Sequence, residues 1–297
     1  MSRSWAELRK RIAEQLGESP AANPEQEAIW ITEECSGHEG LAWLEIAQQQ
    51  PMQRLEDAAR DIARRRVLGE PLQYLLGHWH FGALDLRVTP DVLIPRPETE
   101  QLVAAVLSRL PSIAAGGHAF REPEWTAVDL GTGSGAIALS IAAARPDARV
   151  IAVDQSAAAI AVARSNAAGL GSAARHLEFR EGNWFDAIDS SLEGQVRLVI
   201  ANPPYLSGRE WSELPDEVAA YEPRDALVSG ATGMEDLGHI IDLAPRWLAG
   251  GGLLALEHGD GQQAAVIEAL SRTRMFEEIE SGCDLAGRPR YVITRRT

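Results

Sequence analysis

Cysteine and lysine are both scarce in this chain of 297 residues. The two cysteines, Cys35 and Cys283, are too far apart in sequence to resemble a zinc site or a disulfide framework, which favours a reducing cytoplasm. Lys10 is the only lysine, and the formal net charge of −15 argues against general affinity for nucleic-acid phosphate. No signal-peptide core is visible, and no apolar run is long enough to span a membrane. We therefore expect a cytoplasmic globular protein without a metal site or a membrane partner.

The first 76 residues have the spacing of helices. Ser4 and Glu7 form a capping-box pattern ahead of apolar residues at helical intervals. Pro24 is placed to begin a second helix, and two further helices are predicted before Gly69. Residues 1–76 are interpreted as a small helical domain that binds or positions another molecule.

Residues 77–97 predict a β-hairpin followed by a proline-rich bend. The strand-like runs His78–Phe81 and Leu84–Val88 flank a short turn. The bend at Leu93–Glu100 then leads into a helix predicted over Gln101–Leu110. This segment is interpreted as a linker between two domains.

Residues 98–297 are interpreted as an α/β domain. From Trp125 onward, apolar runs typical of strands alternate with helical patterns, which predicts a largely parallel sheet covered on both faces. The predicted strands are Thr126–Leu130, Arg149–Val153, Leu177–Arg180, Val196–Ala201, Leu253–Glu257, Phe276–Glu280 and Tyr291–Thr294, and the clearest helices are Ala136–Ala144, Ala157–Ala168 and Gly238–Leu248. A flexible connection is predicted over Ala114–Glu124.

A glycine-rich turn, Gly131-Thr132-Gly133-Ser134-Gly135, follows the first strand of this domain and precedes a helix. Without side chains the backbone admits a ligand closely, and the N–H groups at a helix start can bind a carboxylate. The spacing differs from the dinucleotide-binding pattern, and no G-x-x-x-x-G-K-[ST] phosphate loop occurs. A nucleoside with an amino-acid tail, S-adenosyl-L-methionine, therefore fits better than NAD or ATP, although such a turn can also be purely structural.

Three further residues extend the predicted cofactor site. Asp154 ends the next strand, where its carboxylate can accept hydrogen bonds from both ribose hydroxyl groups. The alternative is that it only caps the following helix, although Ser156 can do so instead. Asn183 and Trp184 follow the third strand, where an adenine ring would lie. Trp184 offers a flat face and Asn183 polar atoms for the ring edge, with an ordinary core role as the alternative for Trp184.

The tetrapeptide Asn202-Pro203-Pro204-Tyr205 directly follows the apolar run Val196–Ala201. An amide nitrogen is a weak nucleophile because its lone pair is delocalised, so an enzyme must hold its N–H groups in line with the methyl donor. The Asn202 side-chain oxygen and the Pro203 carbonyl can each accept one N–H, and the two prolines keep these acceptors rigid. Tyr205 would pack on the planar group. The pattern predicts methyl transfer to an amide or an exocyclic amine, with Asn202, Pro203 and Tyr205 as catalytic residues.

Histidine offers no stronger alternative chemistry. His78 and His80 would face one side of a predicted strand, but no third metal ligand is apparent. His258 follows the predicted strand Leu253–Glu257. We expect a structural role for all three.

The glycine turn, Asp154 and Asn202–Tyr205 resemble the Rossmann-like S-adenosylmethionine-dependent methyltransferases that modify planar nitrogens. The more specific resemblance is to the bacterial release factor glutamine methyltransferases. It is carried by Glu70–Gly77, Leu93–Glu100, Tyr221–Leu227 and Leu256–Gly259. The resemblance spans nearly the whole chain, including the helical N-terminal domain, which matches more in architecture than in motif.

This resemblance implies a substrate and a role for each segment of the chain. The family methylates the side-chain amide nitrogen of the glutamine in the Gly-Gly-Gln motif of class I peptide chain release factors. On this chain it implies a substrate-recognition domain (1–76), a hairpin linker (77–97) and a Rossmann-like α/β methyltransferase domain (98–297). No direct nucleic-acid substrate is then expected.

The resemblance also implies which residues line the site. The cofactor would contact Gly131–Gly135, Asp154, Asn183 and Trp184, and Asn202 would stand at the junction with the substrate. Pro203, Pro204 and Tyr205 would hold the substrate glutamine together with Asn202, with Phe81 and the Arg96–Glu100 bend as walls of the same cavity. Asn183 departs from the pattern, since many relatives carry an acid beside the adenine.

Two alternatives remain open from the sequence. The same tetrapeptide serves N6-adenine DNA methyltransferases and ribosomal RNA guanine N2 methyltransferases, although the acidic balance and the lack of a basic aromatic stripe weigh against them. A non-enzymatic protein that only binds the cofactor would require a degenerate pocket, whereas every expected position is filled.

Overall fold

The computed structural model describes residues 2–18, 23–111 and 122–297, which fall into two compact units. One unit comprises Met1–His78 with Pro215–Tyr221, and the other comprises Trp79–Leu214 with Glu222–Thr297. The connection predicted over Ala114–Glu124 lies, up to residue 121, outside the described residues. Over the described ranges, every helix is too short or too polar to cross a membrane.

The first unit is helical, as its spacing predicts. Its helices are α1 (Trp5–Leu16), α2 (Pro24–Ser36), α3 (Gly40–Ile46), α4 (Gln53–Val67) and α5 (Leu72–Leu76), together with the short helix Asp216–Tyr221. Ser4 caps α1 by accepting the N–H of Glu7 at 3.2 Å. The Glu7 carboxylate accepts the N–H of Arg3 rather than that of Ser4, so half of the predicted capping box forms. The core of this unit includes Leu8 and Ile31, both fully buried.

The predicted hairpin is present as β1 (His78–Phe81) and β2 (Leu84–Arg87). The helix that follows the bend, α6 (Pro97–Arg109), begins four residues before the predicted start at Gln101. Proline is well tolerated at the first position of a helix, because its missing N–H would have no partner there anyway. Acidic residues in the first turn also suit the positive end of the helix dipole. The bend is therefore shorter than predicted.

The second unit contains a seven-stranded sheet with covering helices. In chain order the remaining elements are β3 (Trp125–Leu130), α7 (Ala136–Ala144), β4 (Ala148–Asp154), α8 (Ala157–Ala168), β5 (Leu177–Glu181), β6 (Val196–Ala201), α9 (Gly208–Trp211), α10 (Asp216–Tyr221, the short helix of the first unit), α11 (Glu235–Trp247), β7 (Leu248–Glu257), α12 (Gln263–Thr273), β8 (Phe276–Cys283) and β9 (Pro289–Arg296). The strand order is β5-β4-β3-β6-β7-β9-β8. The five strands β3 to β7 pair in parallel, and β9 pairs antiparallel with β7 and β8. The predicted α/β architecture with a largely parallel sheet is confirmed.

Alternate residues of the central strands enter two separate cores. Val128 and Leu130 of β3 pack in a cluster with residues of α11 and α12, whereas Ala127 packs in a cluster with residues of α6 and α7. Successive side chains of a strand point to opposite faces, so this division shows that helices cover both faces of the sheet.

Three loops meet at one edge of this sheet. In the register, Leu130 of β3 is level with Val153 of β4 on one side and with Ala201 of β6 on the other. After β3 the chain adds β4 and β5 on one side of β3, and it then returns to add β6 and β7 on the other side. The strand order therefore reverses at β3. Ligands of open α/β sheets bind in the crevice outside the strand ends at such a point. The segments after β3, β4 and β6 are therefore the place to look for a site.

Candidate active site

A cavity of about 500 Å³ opens at the carboxyl ends of β3, β4 and β6. The residues predicted for the cofactor or the substrate that line it are Phe81, Gly131, Thr132, Gly133, Ser134, Asp154, Asn183, Trp184, Asn202 and Pro204. Gly135, Pro203 and Tyr205 are not among the lining residues. The structure thus brings together most of the predicted positions, from segments more than a hundred residues apart in sequence.

The glycine turn has the backbone that only glycine adopts readily. Gly131, Gly133 and Gly135 have φ angles of 75°, 55° and 86°, in the left-handed region. Gly135 caps the N-terminus of α7, and a Cβ there would come within 3.0 Å of the Leu139 side chain. Its place behind the cavity wall explains why it does not line the cavity. The first residues of α7 do line it, so the positive end of that helix faces the cavity.

Asp154 ties the ends of β3 and β4 together at the cavity wall. Its Oδ2 accepts the N–H of Gly133 at 2.8 Å, and its Oδ1 accepts the N–H of Ser156 at 2.9 Å. Burial raises the pKa of this carboxyl, opposed by these backbone hydrogen bonds. Ser156 caps α8 through its own hydroxyl, which accepts the N–H of Ala159 at 3.2 Å. A carboxylate can accept about four hydrogen bonds, so Asp154 can accept further hydrogen bonds from a ligand in the cavity.

Trp184 lies against the glycine turn. A Cβ on Gly131 would be 3.4 Å from the Trp184 ring, an ordinary van der Waals distance, so the ring lies directly beside the turn. The indole Nε1 donates to Asp236 Oδ1 at 3.2 Å, which fixes the ring plane. Trp184 also has φ of 45°, an uncommon backbone for a bulky residue. Strain of this kind is retained where the surroundings hold it in place, and it is common at binding sites.

The nitrogen and the oxygen of the Asn202 side-chain amide have different surroundings. Its Nδ2 donates to Thr99 Oγ1 at 3.1 Å. Its Oδ1 is buried and has no hydrogen-bond partner among the described residues, although Asn202 lines the cavity. Leaving a buried acceptor unpaired costs about 1–3 kcal/mol. An unpaired acceptor in a cavity wall is the feature expected of a group that binds an N–H of a ligand.

The rest of the tetrapeptide supports this position. Pro203 is buried, and Pro204 lines the cavity. Tyr205 is held by its main chain, since its N–H donates to Leu227 and its carbonyl accepts from Gln262 Nε2 at 2.9 Å. Burial raises the pKa of the Tyr205 phenol to about 12, so it is neutral at physiological pH.

The bend before α6 contributes a second wall. Phe81 is 2% exposed and lines the cavity with Pro95, Arg96 and Thr99. Arg96 forms an ion pair with the buried Glu222 at 2.5 Å. Within the predicted wall Arg96–Glu100, the lining residues are thus Arg96 and Thr99.

Of three further polar residues next to the site, sequence reasoning gave Asp129 and Glu257 no role and included Thr99 only within the predicted wall Arg96–Glu100. Asp129 is fully buried in β3, where its Oδ2 accepts from Thr132 Oγ1 at 2.6 Å and from the N–H of Ala138 at 3.1 Å. Burial raises its pKa to about 7. Thr99 and Glu257 are also buried and hydrogen-bonded to each other at 2.6 Å. A polar residue inside an apolar strand, as at Asp129 and Glu257, is the signal that could have singled out two of the three.

None of the histidines in the described ranges lines the cavity. His78 Nε2 is 3.0 Å from Glu34 Oε2, and His258 is fully buried with its Nδ1 2.9 Å from the carbonyl oxygen of Gly259. Across residues 2–18, 23–111 and 122–297, no three His, Cys, Asp or Glu side chains are grouped so as to hold a metal ion. Burial lowers the pKa of His258, which is therefore neutral at physiological pH.

Comparison with known proteins finds two family models and several relatives that match this chain. A model of the methyltransferase small domain matches residues 118–220, and a model of the PrmC N-terminal domain matches residues 7–77. The chain is 37% identical over 276 residues to a release factor glutamine methyltransferase of Salmonella typhimurium, covering 93% of each chain. It is 41% identical to that of Bordetella pertussis, covering 89% of this chain and 92% of the relative.

Solved structures support the fold. A methyltransferase from Pyrococcus furiosus, 17% identical, aligns with a TM-score of 0.50 over 72% of this chain and 90% of its own. At that identity the similarity concerns the fold alone. Identity above one third over nearly the full length of two relatives, with both domain models matched, shows that this chain belongs to the release factor glutamine methyltransferase family.

Proposed function

We propose that this protein transfers a methyl group from S-adenosyl-L-methionine to the side-chain amide nitrogen of the glutamine in the Gly-Gly-Gln motif of class I peptide chain release factors. The observation that carries the proposal is the buried Oδ1 of Asn202, which has no hydrogen-bond partner among the described residues although Asn202 lines the cavity. Family membership supports the same substrate, since relatives at 37% and 41% identity are named for it.

The residues that line the cavity suit the proposed cofactor chemically. Gly131, Gly133 and the start of α7 offer backbone to an amino-acid tail, and Asp154 offers acceptor positions to a ribose. Trp184 and Asn183 line the same cavity and would contact the adenine ring. When bound, S-adenosylmethionine supplies a methyl group on a positively charged sulfur.

The protein's own task is to orient the substrate amide. We propose that Asn202 Oδ1 and the Pro203 carbonyl each accept one N–H of the glutamine side chain. These contacts direct the nitrogen lone pair toward the methyl group and stabilise the positive charge that develops as nitrogen gains a carbon and before it loses a proton. Tyr205 and Phe81 would confine the planar amide, with the phenol staying neutral.

The helical unit has a separate role in this proposal. Residues 1–76 would recognise the body of the release factor, and residues 77–97 would link that domain to the methyltransferase domain, residues 98–297. A protein partner suits the formal net charge of −15 better than a nucleic acid does. The cytoplasm, where translation ends, is the proposed location.

A transfer assay with three substrates tests the proposal. The protein is incubated with methyl-labelled S-adenosylmethionine and, in parallel, with a class I release factor, duplex DNA and ribosomal RNA. We expect label on the release factor and none above background on either nucleic acid. Label on DNA or RNA but not on the release factor would refute the proposal and favour methylation of an exocyclic base amine.

A further inference from the structure

A short chain of hydrogen bonds lies behind Asn202 in the methyltransferase unit. Asn202 Nδ2 donates to Thr99 Oγ1 at 3.1 Å, and Thr99 Oγ1 donates to Glu257 Oε2 at 2.6 Å. Thr99 belongs to α6, Glu257 ends β7, and Asn202 follows β6, so three elements meet here. Thr99 and Glu257 are 4% and 1% exposed, which shields the chain from water.

The number of protons determines the direction of these bonds. A hydroxyl group has one proton to donate, and an ionised carboxylate can only accept. The Thr99 proton therefore goes to Glu257, and the Thr99 oxygen can only accept from Asn202. The Asn202 amide must then turn its NH2 group toward Thr99, which leaves Oδ1 facing away.

We propose that Thr99 and Glu257 are positioning residues that orient the Asn202 amide so that its oxygen, and not its NH2 group, is offered to the substrate. This inference rests on the proposed function, because an acceptor is needed only if the substrate group carries N–H. An amide turned the other way would present N–H against N–H. Asn202 alone does not define its orientation, since the two ends of an amide have nearly the same shape.

The orientation depends on the charge of Glu257. A protonated carboxyl can donate to Thr99, which frees the Thr99 proton for Asn202 Oδ1 and permits the reversed amide. Burial raises the pKa of Glu257 to about 7, with a smaller contribution of the same sign from Glu98. The bond from Thr99 and the positive charges of Arg290 and Arg96 act in the opposite direction. Tyr205 and His258, which follows Glu257 in the chain, are two further titratable neighbours, and burial keeps both neutral in this range.

The sign of the pH dependence follows. A carboxyl with its pKa near 7 is protonated below that value and ionised above it. The correctly oriented Asn202 amide is therefore favoured above about pH 7. We expect the rate of the chemical step to rise with pH through this region.

Four variants test the inference with a release factor as substrate. Thr99→Val removes the hydroxyl at nearly constant shape, and we expect kcat to fall about 100-fold, as for a misplaced reacting group. Thr99→Ser restores the hydroxyl and should recover most of that loss. Glu257→Gln cannot ionise and should abolish the rise of kcat through about pH 7. Thr294→Val is the matched control, because it removes another buried threonine hydroxyl, which donates to the main-chain carbonyl of Glu277 at 2.7 Å and is not part of the cavity lining.

Readouts other than activity separate orientation from folding. Cofactor affinity, measured by calorimetry, and melting temperature should change as little in Thr99→Val as in Thr294→Val. Equal kcat for Thr99→Val and wild type, or an unchanged pH profile in Glu257→Gln, would overturn the inference. If Thr99→Val does not fold, a Thr99→Ser variant that loses as much activity as Asn202→Ala overturns it too. Wild-type protein that does not methylate release factor would instead contradict the proposed function itself.

Discussion

Replacing Asp154 with Asn should weaken cofactor binding while leaving the fold intact. The carboxylate accepts two backbone N–H groups, at 2.8 Å from Gly133 and 2.9 Å from Ser156, and is proposed to accept the ribose hydroxyl groups as well. An asparagine amide has one acceptor oxygen, so its NH2 group must face either a backbone N–H or the ribose. The change removes charge and acceptor capacity at a partly buried position without creating a cavity.

The expected size follows from the value of one such contact. A hydrogen bond to a charged group contributes about 1.5–3 kcal/mol, and about 1.4 kcal/mol corresponds to a tenfold change in affinity. Losing one ribose contact should therefore weaken S-adenosylmethionine binding about 10-fold to 100-fold. Isothermal titration calorimetry measures this directly and does not depend on catalysis.

Asp189 supplies a matched control for local structure. Its Oδ1 accepts the N–H of Ser191 at 2.8 Å, the same two-residue relation that Asp154 has with Ser156, but it lies at an exposed turn. Asp189→Asn should leave cofactor affinity unchanged. If Asp154→Asn binds the cofactor within twofold of wild type, the carboxylate only shapes the local backbone and the assignment to the ribose is wrong.

Three further predictions address the substrate contact, the glycine turn and the buried carboxyls. Asn202→Ala removes the unpaired acceptor, so kcat should fall about 10²–10³-fold, as when one preorganised charge-stabilising contact is lost. Cofactor affinity should be nearly unchanged. The control Gln195→Ala, which removes an exposed amide just before β6, should have wild-type kcat. Gly135→Ala should lower the free energy of unfolding by about 2–5 kcal/mol in urea titrations, because it adds a Cβ at φ of 86° and 3.0 Å from Leu139. A loss below about 1 kcal/mol would contradict the requirement for glycine at this position. Burial raises the pKa values of Asp129 and Glu257 to about 7, so the folded state holds more protons than the unfolded state between about pH 4.5 and 7. The free energy of unfolding should therefore decrease as pH rises through that window. The decrease should be smaller in Glu257→Gln.

Much of the fold is predictable because its elements leave local signals. The runs of β3, β4 and β6 are apolar and short, and α7 and α8 have the predicted bounds. The glycine turn marks the strand-to-helix junction through a backbone that only glycine accepts readily. The predicted start of α6 is four residues too late, because a proline such as Pro97 is compatible both with a bend and with the first turn of a helix.

The site was predictable where chemistry lies in contiguous residues and not where tertiary structure assembles it. Asp154 ends β4 and Asn202 directly follows β6, so their place at the sheet edge follows from the topology. The hydrogen bond between Thr99 and Glu257 joins residues 158 positions apart, and no local sequence pattern predicts it. The indole of Trp184 likewise meets Asp236 only because α11 packs on that face. Contacts of this kind depend on packing, which a single sequence does not express.

The position of the transferred methyl group tests the central claim most directly. After incubation of the protein with S-adenosylmethionine and a class I release factor, fragmentation mass spectrometry of the release factor can locate the added methyl group. The account predicts a single methyl group on the side-chain nitrogen of the glutamine in the Gly-Gly-Gln motif, and its loss with Asn202→Ala. A methyl group on any other residue, or on that glutamine at wild-type level with Asn202→Ala, would contradict it.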